Sequence, residues 1–78
     1  MKNIMNYVKT LNANITLDCK TRIEFIKGEY IYIVNKNGNK YNLCKYKIEG
    51  DDFIRVSPMV TKDTQKEIVY FLKNLRNF

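Results

Sequence analysis

Three carboxylates crowd into one short stretch, Glu49-Gly50-Asp51-Asp52, the densest set of groups in the chain that could do acid–base or metal chemistry. They are neighbours in a glycine-containing turn, where a solvated polar loop is the expected state rather than a tuned acid–base pair. The other catalytic kits are missing. The chain has no histidine, so neither a Ser-His-Asp nor a Cys-His arrangement can be built. Its three glycines, Gly28, Gly38 and Gly50, are spaced as separate turns and not as a phosphate-cradling loop. Cys19 and Cys44 lack CxxC spacing and read as two reduced thiols in a reducing compartment. The expectation is a protein that is not an enzyme and takes no cofactor and no metal. Its chemistry is then recognition.

Recognition has candidate residues. Fourteen Lys and Arg stand against eight Asp and Glu, for a net charge of +6. A basic small domain suits nucleic acid or another anionic partner. Composition offers a second source for that charge: Lys, Asn, Ile and Tyr, all with A/T-rich codons, make up 36 of the 78 residues. Only Arg22, Arg55 and Arg76 are arginines, and arginine is the better bidentate reader of phosphate and guanine. Base-specific readout is therefore not favoured. The candidate contacts are the polar hairpin tip Lys36, Asn37, Asn39 and Lys40, the acidic turn Glu49, Asp51 and Asp52, and the cationic and aromatic set Arg22, Tyr46, Phe53 and Arg55.

These residues need a scaffold, and the stretch from Arg22 to Ile48 supplies it. Apolar and polar residues alternate there between turn signals. Asn37-Gly38 is expected to close a hairpin through a type I′ turn, which needs positive φ at both central residues. Lys27-Gly28 and Gly50-Asp51 mark two more. With those pairs as loops, Val34 faces Tyr41, Tyr32 faces Leu43, Phe25 faces Tyr30, Ile23 faces Tyr32, Ile48 faces Phe53 and Tyr46 faces Arg55. One face then collects Ile23, Phe25, Tyr30, Tyr32, Val34, Tyr41 and Leu43, joined by Ile54 and Val56. The opposite face mixes Arg22, Glu24, Ile26, Ile31, Ile33, Lys40, Asn42, Cys44 and Tyr46.

Helices flank the sheet. Ile4, Val8 and Leu11 recur at helical spacing in residues 1–12, and Asn12 is a plausible left-handed stop. Residues 15–19 alternate as a short edge strand or an extended lead-in. Pro58 ends the strand that begins at Phe53. Residues 61–78 read as a second helix with the stripe Ile68, Phe71, Leu72, Leu75 and a capping box at Thr64 to Glu67, Thr61 being an alternative cap. Lys73 and Arg76 suit its C-terminal dipole. The fold class is α+β in a single domain of residues 1–78: an N-terminal helix, a three- to four-stranded antiparallel sheet and a C-terminal amphipathic helix. Neither a signal peptide nor a membrane span is recognised, so a cytoplasmic location is expected. With two apolar stripes available, the helices are expected on opposite faces. The short first one would leave apolar surface near Ile48 and Phe53, flanked by Arg22, Arg55 and Tyr46. That surface could take a partner or a second copy of the chain.

The hairpin residues 33–41, IVNKNGNKY, resemble a hairpin in small phage-encoded anti-CRISPR proteins of the Cas9-inhibiting kind, which also place a helix before and after a three-stranded sheet. The resemblance implies a non-catalytic phage or mobile-element protein that inhibits a host nucleic-acid-handling defence system by occluding a binding surface on a host protein or nucleoprotein complex. The acidic, DNA-mimicking character of that family is not matched by a chain of charge +6, and no functional residue is carried over. The order helix, three strands, helix is also similar to double-stranded RNA-binding domains. Those cluster lysines at the start of the last helix, where this chain has Lys62 and Lys66 beside Asp63 and Glu67. The alternative function is thus a basic nucleic-acid binder using Lys36, Lys40, Lys45, Lys47 and Arg55.

Overall fold

The structure, a computed structural model, describes residues 1–75. The order is α1 (Lys2–Val8) with a 3-10 turn at Lys9–Leu11, then β1 (Asn14–Asp18), β2 (Arg22–Lys27), β3 (Tyr30–Asn37), β4 (Lys40–Glu49), β5 (Asp52–Arg55), β6 (Val60–Lys62) and α2 (Gln65–Lys73). Five strands run in the spatial order β1-β2-β3-β4-β5, and β6 also pairs with β4, all antiparallel. The α+β class is as expected, with more strands. β1 is a true edge strand. Residues 61 and 62, expected in the last helix, belong to β6, because Thr64 and not Thr61 caps α2: its hydroxyl accepts from the Glu67 N–H at 3.1 Å. The last turn of the expected helix, Arg76 included, lies outside the described residues.

The hairpins correct two registers by one pair. Phe25 faces Tyr32 and not Tyr30, and Val34 faces Leu43 and not Tyr41. The loop residues are Gly28-Glu29 and Gly38-Asn39 in place of Lys27-Gly28 and Asn37-Gly38. Gly28 and Gly38 have φ of +63° and +61°, whereas among the described non-glycines only Asn12 has positive φ. Positive φ at the first loop residue alone is the signature of a type II′ turn, which puts glycine first. Asn37 therefore stays in its strand. The Gly50-Asp51 loop, which already had glycine first, has the expected register, with Ile48 facing Phe53 and Tyr46 facing Arg55. A shift of one full pair preserves side-chain parity, so the membership of each face survives.

The core lies on the expected face. Ile23, Phe25, Tyr32, Val34 and Leu43 are buried there against Ile4, Met5 and Val8 of α1 and Ile68 and Leu72 of α2. Phe25 and Tyr32 stack with centroids 5.0 Å apart and planes 10° from parallel. Both helices thus share one face, contrary to the expectation of one on each side. Geometry explains it. Five strands span about 20 Å or more, and the nine-residue α2 is about 13 Å long. One short helix cannot roof the large apolar face, and two side by side can. Gln65 at the start of α2 ties them together: its Oε1 accepts from the N–H of Asn3 at 3.0 Å and of Ile4 at 3.3 Å, which caps α1. The roof stops short of β5, so Ile54 and Val56 do not join the core and remain 47% and 44% exposed.

Candidate functional site

The face without helices is the candidate site. Register lines up its rows across the strands. Ile26, Ile31, Tyr46 and Arg55 form one row, and Glu24, Ile33 and Cys44 the next. Ile48 and Phe53 extend the apolar area at one end. Arg22, Asn35, Asn42 and Thr61 close it with polar groups at the other. Ile31 is only 5% exposed although it lies outside the core cluster. Its cross-strand neighbours Ile26 and Tyr46 are the groups placed to cover it. Phe53, at the margin, is 58% exposed.

The sequence-derived contact residues separate into two groups at opposite ends of β4. Lys36, Asn37, Asn39 and Lys40 lie at or beside the β3–β4 turn, with Arg22 toward the same end. Glu49, Asp51, Asp52, Phe53, Arg55 and Tyr46 gather at the β4–β5 turn. Lys40 and Glu49 bound the ten-residue strand, about 30 Å apart along it. The eleven residues cannot form one compact contact. The second group is the coherent one, because its aromatic and apolar members adjoin the apolar rows.

Electrostatics also divides the cations. Lys36, Lys45 and Lys47 project to the helix side by strand parity, while Arg22, Lys40 and Arg55 lie on the open side. Several already have partners. Lys45 sits over the Tyr30 ring at 4.1 Å. Arg22 pairs with Glu24 at 3.5 Å and Lys47 with Glu49 at 3.6 Å. Lys40 pairs with Asp63 in a hydrogen-bonded ion pair on the surface. That bond holds the Asp63 carboxyl below its ordinary range and the Lys40 ammonium above its own. Such exposed pairs add little stability, yet they leave less charge for a phosphate track.

Among the described residues, no group of three or more His, Cys, Asp or Glu could hold a metal ion. Both cysteines are free, Cys19 exposed and Cys44 half-buried on the open face. No described helix is long and apolar enough to cross a membrane. No protein-family model, curated protein or solved structure matches this chain.

Sequence reasoning missed one feature of the site. β5 and β6 run along the same edge of β4, with Arg55 opposite Tyr46 and Val60 opposite Leu43. Val56 still bonds Lys45. Residues 57–59 are therefore an outward excursion of one interrupted edge strand. Pro58 was the available signal: it marks a bulge and not the end of pairing.

Proposed function

We propose that this chain is a non-catalytic protein-binding module that docks a partner protein on the open face of its sheet. The observation that supports this is the placement of both helices on one face, which leaves Ile26, Ile33, Tyr46, Ile48 and Phe53 on the other without a helical cover. Four of them are half-buried and Phe53 is exposed, and a contiguous, partly exposed apolar surface with a charged rim suits association on a small domain. The fitting partner has an apolar centre and acidic groups placed to meet Arg22 and Arg55. In the role implied by the hairpin resemblance, the partner is a host protein or nucleoprotein complex of a nucleic-acid-handling defence system, inhibited by occlusion. Direct nucleic-acid binding has less support, because its five candidate cations divide between two faces and two of them, Lys40 and Lys47, are ion-paired.

The test compares three forms of the protein as bait in host extract: wild type, Ile33→Asp on the open face, and Tyr70→Asp on the exposed flank of α2. A protein retained by wild type and Tyr70→Asp but lost by Ile33→Asp, with the circular dichroism of all three alike, is the expected result. Equal retention by all three sinks the docking face. A filter assay in which duplex or single-stranded nucleic acid is retained at low salt and released steeply as salt rises moves the function to phosphate binding.

A further inference from the structure

Four of the five large apolar side chains with high exposure among the described residues fall within residues 53–59: Phe53, Ile54, Val56 and Met59, the fifth being Tyr70 on α2. They belong to the segment of β5 and the excursion after it, at the edge of the sheet. An edge strand presents unpaired N–H and C=O groups and is a template for another strand unless something blunts it. The other edges are blunted. β1 carries a bulge between Ile15 and Leu17, and its exposed residues are Asn14, Thr16 and Asp18. β6 is three residues long and is set off by the excursion at Pro58. All four residues of β5 are exposed, and its ladder to β4 has no register break.

The peptide groups of β5 are oriented for pairing. The Val56 N–H donates to the Lys45 carbonyl at 3.2 Å. In an antiparallel ladder alternate residues bond inward, so Ile54 and Asp52 bond β4 with Val56. Phe53 and Arg55 turn their N–H and C=O outward. Two-fold symmetry then restricts a second copy to registers in which facing residues have the same parity, because a two-fold normal to the sheet keeps each face on its own side. One such register places Phe53 opposite Phe53 of the second copy and Asp51 opposite Arg55, twice. In it, residues 57–59 of each copy pass beyond the other's Gly50-Asp51 turn, so the excursion does not obstruct the pairing.

We propose that two copies of this chain join β5 to β5 in that register. Phe53 lies on the axis, flanked by two Asp51–Arg55 pairs, and the two sheets become one. The occupant is a second copy because opposite charges flank the same short strand, Asp51 in the turn just before β5 and Arg55 at its end. Antiparallel self-pairing matches Asp51 with Arg55 on both sides, and an unrelated strand has no such match. Both open faces then lie on the same side and form one continuous surface. The inference concerns the edge and does not rest on what the face binds.

Sedimentation equilibrium over a concentration series tests it, using wild type, Asp51→Arg, Arg55→Asp, an equimolar mixture of these two variants, and Ile33→Asp. Each single charge change sets like charges opposite each other at both pairs and is expected to raise the dimer dissociation constant by roughly tenfold or more. In the mixture, a mixed dimer keeps one native Asp51–Arg55 pair and forms the other with its two charges exchanged. The mixture is therefore expected to return to dimer. Ile33→Asp should dimerise like wild type. A wild type that stays monomeric at millimolar concentration overturns the proposal, as do single variants that dimerise normally or a mixture that stays monomeric. Should either single variant fail to fold, the double exchange of both residues in one chain gives the same decision. The proposal holds if the double exchange dimerises while the single variant that folds does not, and it is overturned if that single variant dimerises normally or the double exchange stays monomeric.

Discussion

Phe25→Ala is the sharpest perturbation of the fold. Phe25 is fully buried, lies between the two helices and the sheet, and stacks on Tyr32 at 5.0 Å. Truncating a buried phenylalanine costs about 3–5 kcal/mol. A chain of 78 residues has a total stability of roughly 4–12 kcal/mol, at about 0.05–0.15 kcal/mol per residue. The substitution therefore removes from about a quarter of the stability to all of it. Urea unfolding followed by circular dichroism measures the loss. With a slope of about 1 kcal/mol per molar, ordinary for a small domain, the midpoint moves by about 3–5 M, or the variant is unfolded in water. Phe25→Leu and Tyr32→Leu, singly and combined, isolate the stack, with a coupling of about 0.5–1.5 kcal/mol expected beyond area. A loss below about 1 kcal/mol for Phe25→Ala would refute this assignment of the core, and with it the identity of the open face.

Three further outcomes are expected. Gly38→Ala should destabilise the protein by about 1–2 kcal/mol in urea unfolding, although no atom beyond its chain neighbours lies within 4 Å of the added methyl, because φ there is +61°. Gln65→Ala should cost about 0.5–2 kcal/mol, the range of a lost helix cap, and amide exchange should quicken first at Asn3 and Ile4, whose N–H groups it bonds. Burial, and secondly the neighbouring Tyr30, hold the Tyr32 hydroxyl above its ordinary value of 10.0. The fold thus favours the neutral phenol. That contribution is complete below the unfolded value and fades as pH rises through the folded one. Unfolding midpoints should fall above pH 10, and Tyr32→Phe should flatten that limb.

Alternation and glycine placement made the sheet legible. Parity alone assigned Ile23, Phe25, Tyr32, Val34 and Leu43 to the core face, and a one-pair error at two hairpins did not disturb it. The error came from weighing Asn37-Gly38 as a type I′ pair when the same glycine serves a type II′ turn from the first position, and nothing local separates the two. β6 was hidden because Val60-Thr61-Lys62 is too short to show alternation. Its pairing depends on Leu43, far earlier in the chain, and on an excursion at Pro58, a residue that interrupts a ladder without saying whether pairing resumes beyond it. The contact residues separate to the two ends of β4 because that strand is ten residues long, a consequence of strand length and not of any one residue's type.

Which side the helices take is the decision on which the function turns, and it has a physical cause. Both faces of β3 are apolar: Tyr32 and Val34 on one, Ile31 and Ile33 on the other. A strand of that kind is normally covered twice. Here the second cover is partial and comes from the sheet itself. Ile26 and Tyr46 flank Ile31, which is 5% exposed although both described helices pack on the other face. That shielding fades outward, from Ile33 and Ile48, which are half-buried, to Phe53, which is 58% exposed. The centre of the open face can therefore stand in water while its β5 end cannot do so without cost. Ile31→Asp is then expected to unfold the protein, and Phe53→Asp to leave it folded while binding or self-association is lost. If Phe53→Asp unfolds the protein, or Ile31→Asp does not, the gradient of cover across this face is wrong, and the β5 end loses its claim to be the site of association.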